Sequence, residues 1–179
     1  MNQRPAPSIQ HPASSIQHPA SSIQNILIFS FSHIGDAVLS TAVIPPLQEH
    51  FPDAKLDVLV GPKACKVFLG DVRVDEVIIY DNRGAHAGLG GKLRLIKELK
   101  RREFDLIVDL RDSFWSRLIG VSRWGMPLSQ RRGSSYKNSH AVSRYLSILS
   151  SHGIPSEDAA PEFHLSDSEK QLAADFLSR

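Results

Sequence analysis

From Asn25 onward, apolar residues come in short unbroken runs separated by stretches where they recur every three or four positions. "NILIFSF" (Asn25–Phe31), "KLDVLV" (Lys55–Val60), "EVIIY" (Glu76–Tyr80) and "FDLIVDL" (Phe104–Leu110) are nearly continuous in apolarity, as strands buried on both faces of a parallel sheet are. These runs predict four strands. Between them lie Asp36–His50, a short stretch near Lys63–Leu69, and "KLRLIKELKRR" (Lys92–Arg102), whose Leu93, Ile96 and Leu99 fall at helical spacing. Such alternation predicts right-handed βαβ units and an α/β fold, a Rossmann-like parallel sheet with flanking helices. Pro45-Pro46 falls inside the first helical stretch, where a missing N–H and a ring clash should kink or split it near Thr41–Ala42.

Beyond Leu110 the pattern predicts a short helix in "SFWSRLIG", a basic loop containing Gly and Ser, and a helix "SHAVSRYLSILSSHG" closed by Gly153. "PEFHL" reads as an extended piece, and Ser166 with Glu169 as a capping box opening a last helix over Gln171–Leu177. "NRGAHAGLGG" reads as a mobile loop. It is not a dinucleotide fingerprint, for it lacks the G-x-G-x-x-G strand-to-helix turn. Upstream, "PAPSIQH", "PASSIQH" and "PASSIQN" repeat every seven residues, but a proline opens each unit and a single isoleucine anchors it, which rules out a helical heptad seam. Residues 1–24 are therefore expected to be a disordered low-complexity leader, without the basic start and apolar core of a secretory signal.

Composition adds boundaries. A chain of 179 residues, 41% hydrophobic and 22% charged, has enough material for one ordinary core. Its apolar runs fall far short of the roughly 20 residues that cross a bilayer. The lone Cys65 cannot pair internally, which suits a reducing compartment. The formal charge of +2 hides an asymmetry: between Arg111 and Arg144 seven basic residues face one acid, Asp112. Such a segment is suited either to an anionic partner or to plain solvation.

Candidate chemistry concentrates where the first strand ends. In parallel sheets ligands bind at the carboxyl ends of strands, and Ser32-His33-Ile34-Gly35-Asp36 stands there. Gly35 is expected to allow a tight turn and close approach of a ligand. Asp36 has two readings: a cap accepting unpaired N–H groups of the helix, or a general base whose carboxylate faces the cleft.

Three stretches carry a resemblance. "NILIFSFSHIGDAVLSTAVIPPLQEHFPDAKLDVLV", "FDLIVDLRDSFWSRLIG" and "SHAVSRYLSILSSHGIP" resemble, in that order, the opening strand and Gly-Asp turn, the fourth-strand motif, and the His-containing helix of glycosyltransferase family 9, the ADP-heptose:lipopolysaccharide heptosyltransferases. The resemblance covers Asn25–Pro155 and implies the acceptor-binding N-terminal half of a two-Rossmann-domain, GT-B type enzyme. Residues 25–165 would form that domain and 166–179 the start of an interdomain linker helix, the chain being a fragment that needs a C-terminal donor domain.

The implied reaction transfers heptose from ADP-heptose to the lipopolysaccharide inner core, with inversion and no metal or cofactor. Asp36 matches the family's candidate base. Ser32, His33 and Gly35 would shape the pocket floor, with His33 departing from the small residue expected there. Arg111, Arg131, Arg132 and Lys137 would bind phosphate and carboxylate groups of the acceptor, and His140 would start or cap its helix. Cytoplasmic location, peripheral association with the inner membrane and no nucleic-acid partner are likewise implied. Two other readings stay open: a non-catalytic carbohydrate-binding or interaction module on the same fold, and a nucleotide-binding Rossmann protein with a basic nucleic-acid surface.

Overall fold

The computed structural model describes residues 22–125, 140–156, 158–165 and 167–178. The repeat leader, the 126–139 segment with Arg131, Arg132 and Lys137, and Ser166 of the expected capping box lie outside the described residues.

Five parallel strands form one sheet in the order β3-β2-β1-β4-β5: β1 (Asn25–Phe29), β2 (Lys55–Val60), β3 (Glu76–Ile79), β4 (Leu106–Asp109) and β5 (Ser122–Gly125). The α/β, Rossmann-like expectation holds. Alternate residues of each strand feed opposite faces, which is why the runs are apolar throughout. Ile26 and Ile28 of β1 pack on the face covered by α1 (Ile34–Ser40), α2 (Ile44–His50) and α4 (Ala141–Ser150), while Leu27 and Phe29 pack on the face covered by α3 (Gly88–Lys100) and a 3-10 turn over Phe114–Leu118. Helix α5 spans Asp167–Leu177.

Several expectations need correction. β5 falls within the expected basic loop: "SRWG" is short, carries an arginine and a glycine, and only Trp124 of its four residues is buried. Helix α3 begins at Gly88, four residues before its expected start, so the last four residues of the expected ten-residue glycine loop are helical. Gly91 is needed there because a Cβ would lie 2.6 Å from the His86 backbone. The buried stripe of α3 is Gly91, Leu95, Ile96 and Leu99, and Leu93, assigned to it from spacing, is exposed. The proline expectation holds: a 3-10 turn over Thr41–Val43 separates α1 from α2. Gly153, at φ +84°, ends α4 as expected.

At the amino end of the sheet, Asp57 of β2 sits beside Glu76 and Asp75 with a 3.8 Å contact to Arg102. Burial, reinforced by Glu76 and Asp75, pushes its carboxyl up to about 6 despite Arg102. The folded state thus holds this proton more tightly than the unfolded chain, whose value is near 3.8. Stability from this group is complete below pH 4 and is lost as pH rises to about 6. Asp57→Asn is expected to raise unfolding free energy at pH 7.5 by about 1–2 kcal/mol, with little gain at pH 4, in urea titrations at both pH values.

Candidate functional site

β1 lies between β2 and β4, and the chain leaves β1 toward one face and β4 toward the other. Such a switch point opens a crevice at the strands' carboxyl ends. A cleft of about 510 Å³ occupies it, lined by Phe31, Ser32 and His33 after β1, Pro62 and Lys63 after β2, Asp81, Asn82 and Arg83 after β3, and Arg111 after β4. A larger groove, about 680 Å³, lies between Pro45, Pro46 and Glu49 of α2 and the chain after α4. Its charged lining residues, Glu49 and Asp158, ill suit an anionic ligand.

Local chemistry fixes each wall. Ser32 lies so close to the end of β2 that a Cβ on Gly61 would fall 2.5 Å from its Oγ, hence the glycine. In the β3–α3 loop, the Asp81 carboxylate accepts from the N–H groups of Arg83 (3.1 Å) and Gly84 (2.9 Å), its own N–H donates to His86 Nδ1 (3.1 Å), and the His86 N–H returns to Asp81 O (2.8 Å). These bonds tie down a segment read as mobile and present Arg83 to the cleft. The Arg111 guanidinium lies over the Tyr80 ring, 5.7 Å from its centroid. Its backbone N–H donates to Asp109 Oδ1 (3.1 Å) at the end of β4.

Asp109 is fully buried. Its other oxygen accepts from the Ser113 N–H (2.8 Å), the Ser116 hydroxyl (2.6 Å) and Arg123 (3.3 Å). Burial pushes this carboxyl up, and the Ser116 and Arg123 donors and the two backbone N–H groups pull against it. Arg123 also reaches Asp112 (3.5 Å), as does Arg117 (3.6 Å). The basic excess between Arg111 and Arg144 is thus partly neutralised by Asp109, which stands two residues before that segment. Lys63, Arg83 and Arg111 have no carboxylate partner within 4 Å among the described residues, and sequence reasoning missed the first two.

Ser32, His33 and Arg111 therefore line one cleft. Gly35 and Asp36 stand on the first turn of α1, outside the cleft's lining. Gly35 is helical, not the pivot of a tight turn, and a Cβ there would meet nothing within 4 Å, so space is open beside it. Asp36 is half-buried with no hydrogen bond to the helix end, and the N-cap position belongs to His33, whose side chain does not cap either. The capping reading of Asp36 is not supported. His140 holds the N-cap position of α4, also without a side-chain bond. No group of three or more His, Cys, Asp or Glu among the described residues is placed to hold a metal ion.

No family model matches the chain. Lipopolysaccharide heptosyltransferase 3 of Escherichia coli K12 is 29% identical over 137 residues, covering 67% of this chain and 40% of that protein. The chain is a relative of the lipopolysaccharide heptosyltransferases. A glycosyltransferase family 9 structure from Veillonella parvula superimposes with a TM-score of 0.71 at 19% identity, covering 87% of this chain and 49% of that one. The E. coli heptosyltransferase WaaC, solved with ADP-2-deoxy-2-fluoro heptose, gives 0.63 at 18%, covering 78% and 51%. The fold is that of the family 9 heptosyltransferases, and the chain spans about half their length. Among the described residues no helix is long and apolar enough to cross a membrane.

Proposed function

We propose that this chain is the acceptor-binding half of an inverting heptosyltransferase that transfers heptose from ADP-heptose to a hydroxyl of the lipopolysaccharide inner core. The observation that carries the reading is the cleft at the β1/β4 switch point, lined by Lys63, Arg83 and Arg111, which have no carboxylate within 4 Å among the described residues, in a relative of heptosyltransferases. Phosphate and carboxylate groups of a core oligosaccharide are natural ligands for such a set. Inversion needs one displacement. The acceptor O–H gives its proton to the Asp36 carboxylate, its oxygen bonds the anomeric carbon, and the bond from that carbon to the ADP oxygen breaks, its electron pair leaving with ADP. Ser32 and His33 shape the floor, and the open space at Gly35 admits the reacting sugar. Base and leaving group suffice for this step, so the reading includes no metal or cofactor. The acceptor's lipid anchor places the reaction at the cytoplasmic face of the inner membrane, with the protein bound peripherally.

The test is heptose transfer from ADP-heptose to heptose-deficient core, measured for the chain together with any sequence that follows it in its gene. Transfer supports the reading, and core binding without transfer supports the carbohydrate-binding module instead. Arg111→Ala and Arg83→Ala are each expected to raise the acceptor KM on the order of 10–100-fold, the worth of one charge-assisted contact, with kcat little changed. Unaltered KM in both variants would remove the cations from acceptor recognition.

A further inference from the structure

Helix α3 carries a second surface that neither the fold nor the cleft uses. Its sheet-facing stripe is already complete in Gly91, Leu95, Ile96 and Leu99. On the opposite side Leu89 and Leu93, one turn apart, are 67% and 52% exposed. Lys97 and Lys100 continue their stripe toward the helix end, and Arg94 and Arg101 flank it, all four exposed. Two arginines elsewhere are neutralised: Arg73 pairs with Asp71 and Glu162, and Arg102 with Glu76 and Glu98. Glu98 is the one carboxylate on α3, and Arg102 engages it. No ion pair within 4 Å involves Arg94, Lys97, Lys100 or Arg101 among the described residues. Beside α3, with Lys92 over the Trp115 ring at 5.1 Å, the 3-10 turn after β4 adds Phe114, 62% exposed.

We infer that this outer face of α3, with Phe114, docks on an anionic phospholipid surface. Charge complementarity selects the partner: a helix face with apolar anchors at one end and unpaired Lys and Arg along it fits a negatively charged bilayer interface, where leucines enter the acyl boundary and cations meet headgroup phosphates. A nucleic-acid backbone would engage the cations but leave Leu89 and Leu93 without a role. Because α3 follows β3, its leucine end lies at the carboxyl side of the sheet, the side of the cleft. Docking there sets the cleft mouth near the headgroups. This deepens the proposed function and rests on it for the meaning of that placement; lipid binding itself does not depend on it.

The experiment is co-sedimentation of the full chain with vesicles of phosphatidylcholine alone or with about one-third phosphatidylglycerol, at 0.1 M salt, where roughly a 10 Å screening length leaves surface attraction measurable. Binding to the anionic vesicles at least about tenfold tighter is expected, since each basic residue near such a surface contributes severalfold. Lys97→Glu/Lys100→Glu/Arg101→Glu should abolish that preference. Leu89→Ser/Leu93→Ser should weaken anionic-vesicle binding about fivefold or more, with unchanged circular dichroism in both variants. Equal affinity for both vesicles, no binding to either, or full binding by either variant would overturn the proposal. Tighter retention on single-stranded RNA than on anionic vesicles, indifferent to the leucine change, would also overturn it. Transfer to a soluble, deacylated core acceptor should be unchanged in both variants, so loss of the transferase reading would show there and loss of the docking surface only on vesicles.

Discussion

Asp36→Asn is expected to lower heptose transfer by about 10²–10⁴-fold, the usual worth of a positioned general base, while the unfolding free energy falls by no more than about 1 kcal/mol. The second half of this expectation follows from geometry. Asp36 is the third residue of α1 and accepts no hydrogen bond from the helix end. Its structural contribution is therefore limited to a favourable charge near the helix start, about 0.3–1 kcal/mol. Had it been a cap, asparagine would substitute with little loss of stability or activity, and alanine would cost about 1 kcal/mol of stability without touching turnover. The pair of variants thus separates the roles. Single-turnover transfer with Asp36→Asn and Asp36→Ala, alongside urea unfolding of each, is the measurement; turnover near the parent rate in both would take Asp36 out of the chemistry.

Much of the fold was legible because parallel strands buried on two faces leave an unmistakable texture. β2 matches its expected bounds, and β1, β3 and β4 lie inside theirs. The break before Pro45 was legible from covalent geometry alone. The failures share a cause: tertiary packing outweighed a local signal. β5 buries one side chain of four, so its ladder with β4, not its composition, makes it a strand. Gly88, Gly90 and Gly91 signal a loop by propensity, yet α3 starts through them because Gly91 must approach the His86 backbone. Leu93 obeys helical spacing, but the sheet selects the stripe centred on Leu95 and Leu99.

The site was legible only in part, for a similar reason. Ser32 and His33 could be named because they follow the first strand, at the end where parallel sheets bind ligands, and Arg111 because it opens the basic segment. Lys63 and Arg83 are single cations in separate loops, and nothing in the linear sequence joins them until the β3-β2-β1-β4 order brings those loops around one cleft. Asp109 left a signal that could have been used: a carboxylate closing the apolar run "LIVD" must find partners or shift its protonation. Ser113, Ser116 and Arg123 downstream are those partners.

Asp109→Ala is expected to destabilise the protein by about 3–5 kcal/mol, the cost of removing one partner from a buried charge network. The carboxylate's own ionisation is not what stabilises. Burial holds its folded carboxyl above the unfolded value near 3.8, so the parent's lead over Asp109→Ala should narrow as pH rises above about 4. What the variant loses is acceptors: the Arg111 and Ser113 N–H groups, the Ser116 hydroxyl and Arg123 would all face a methyl group. Taking the network out whole should hurt less. Asp109→Leu/Ser116→Ala/Arg123→Met is expected to recover part of the lost stability, because fewer buried donors are stranded. Urea unfolding of both variants at pH 5 and pH 8 measures this, and a loss under about 1 kcal/mol for Asp109→Ala would show the network to be dispensable. Even the recovered triple variant should keep a raised acceptor KM. The Arg111 N–H would still lack Asp109, and with it goes the bond that fixes the turn from which Arg111 reaches the cleft.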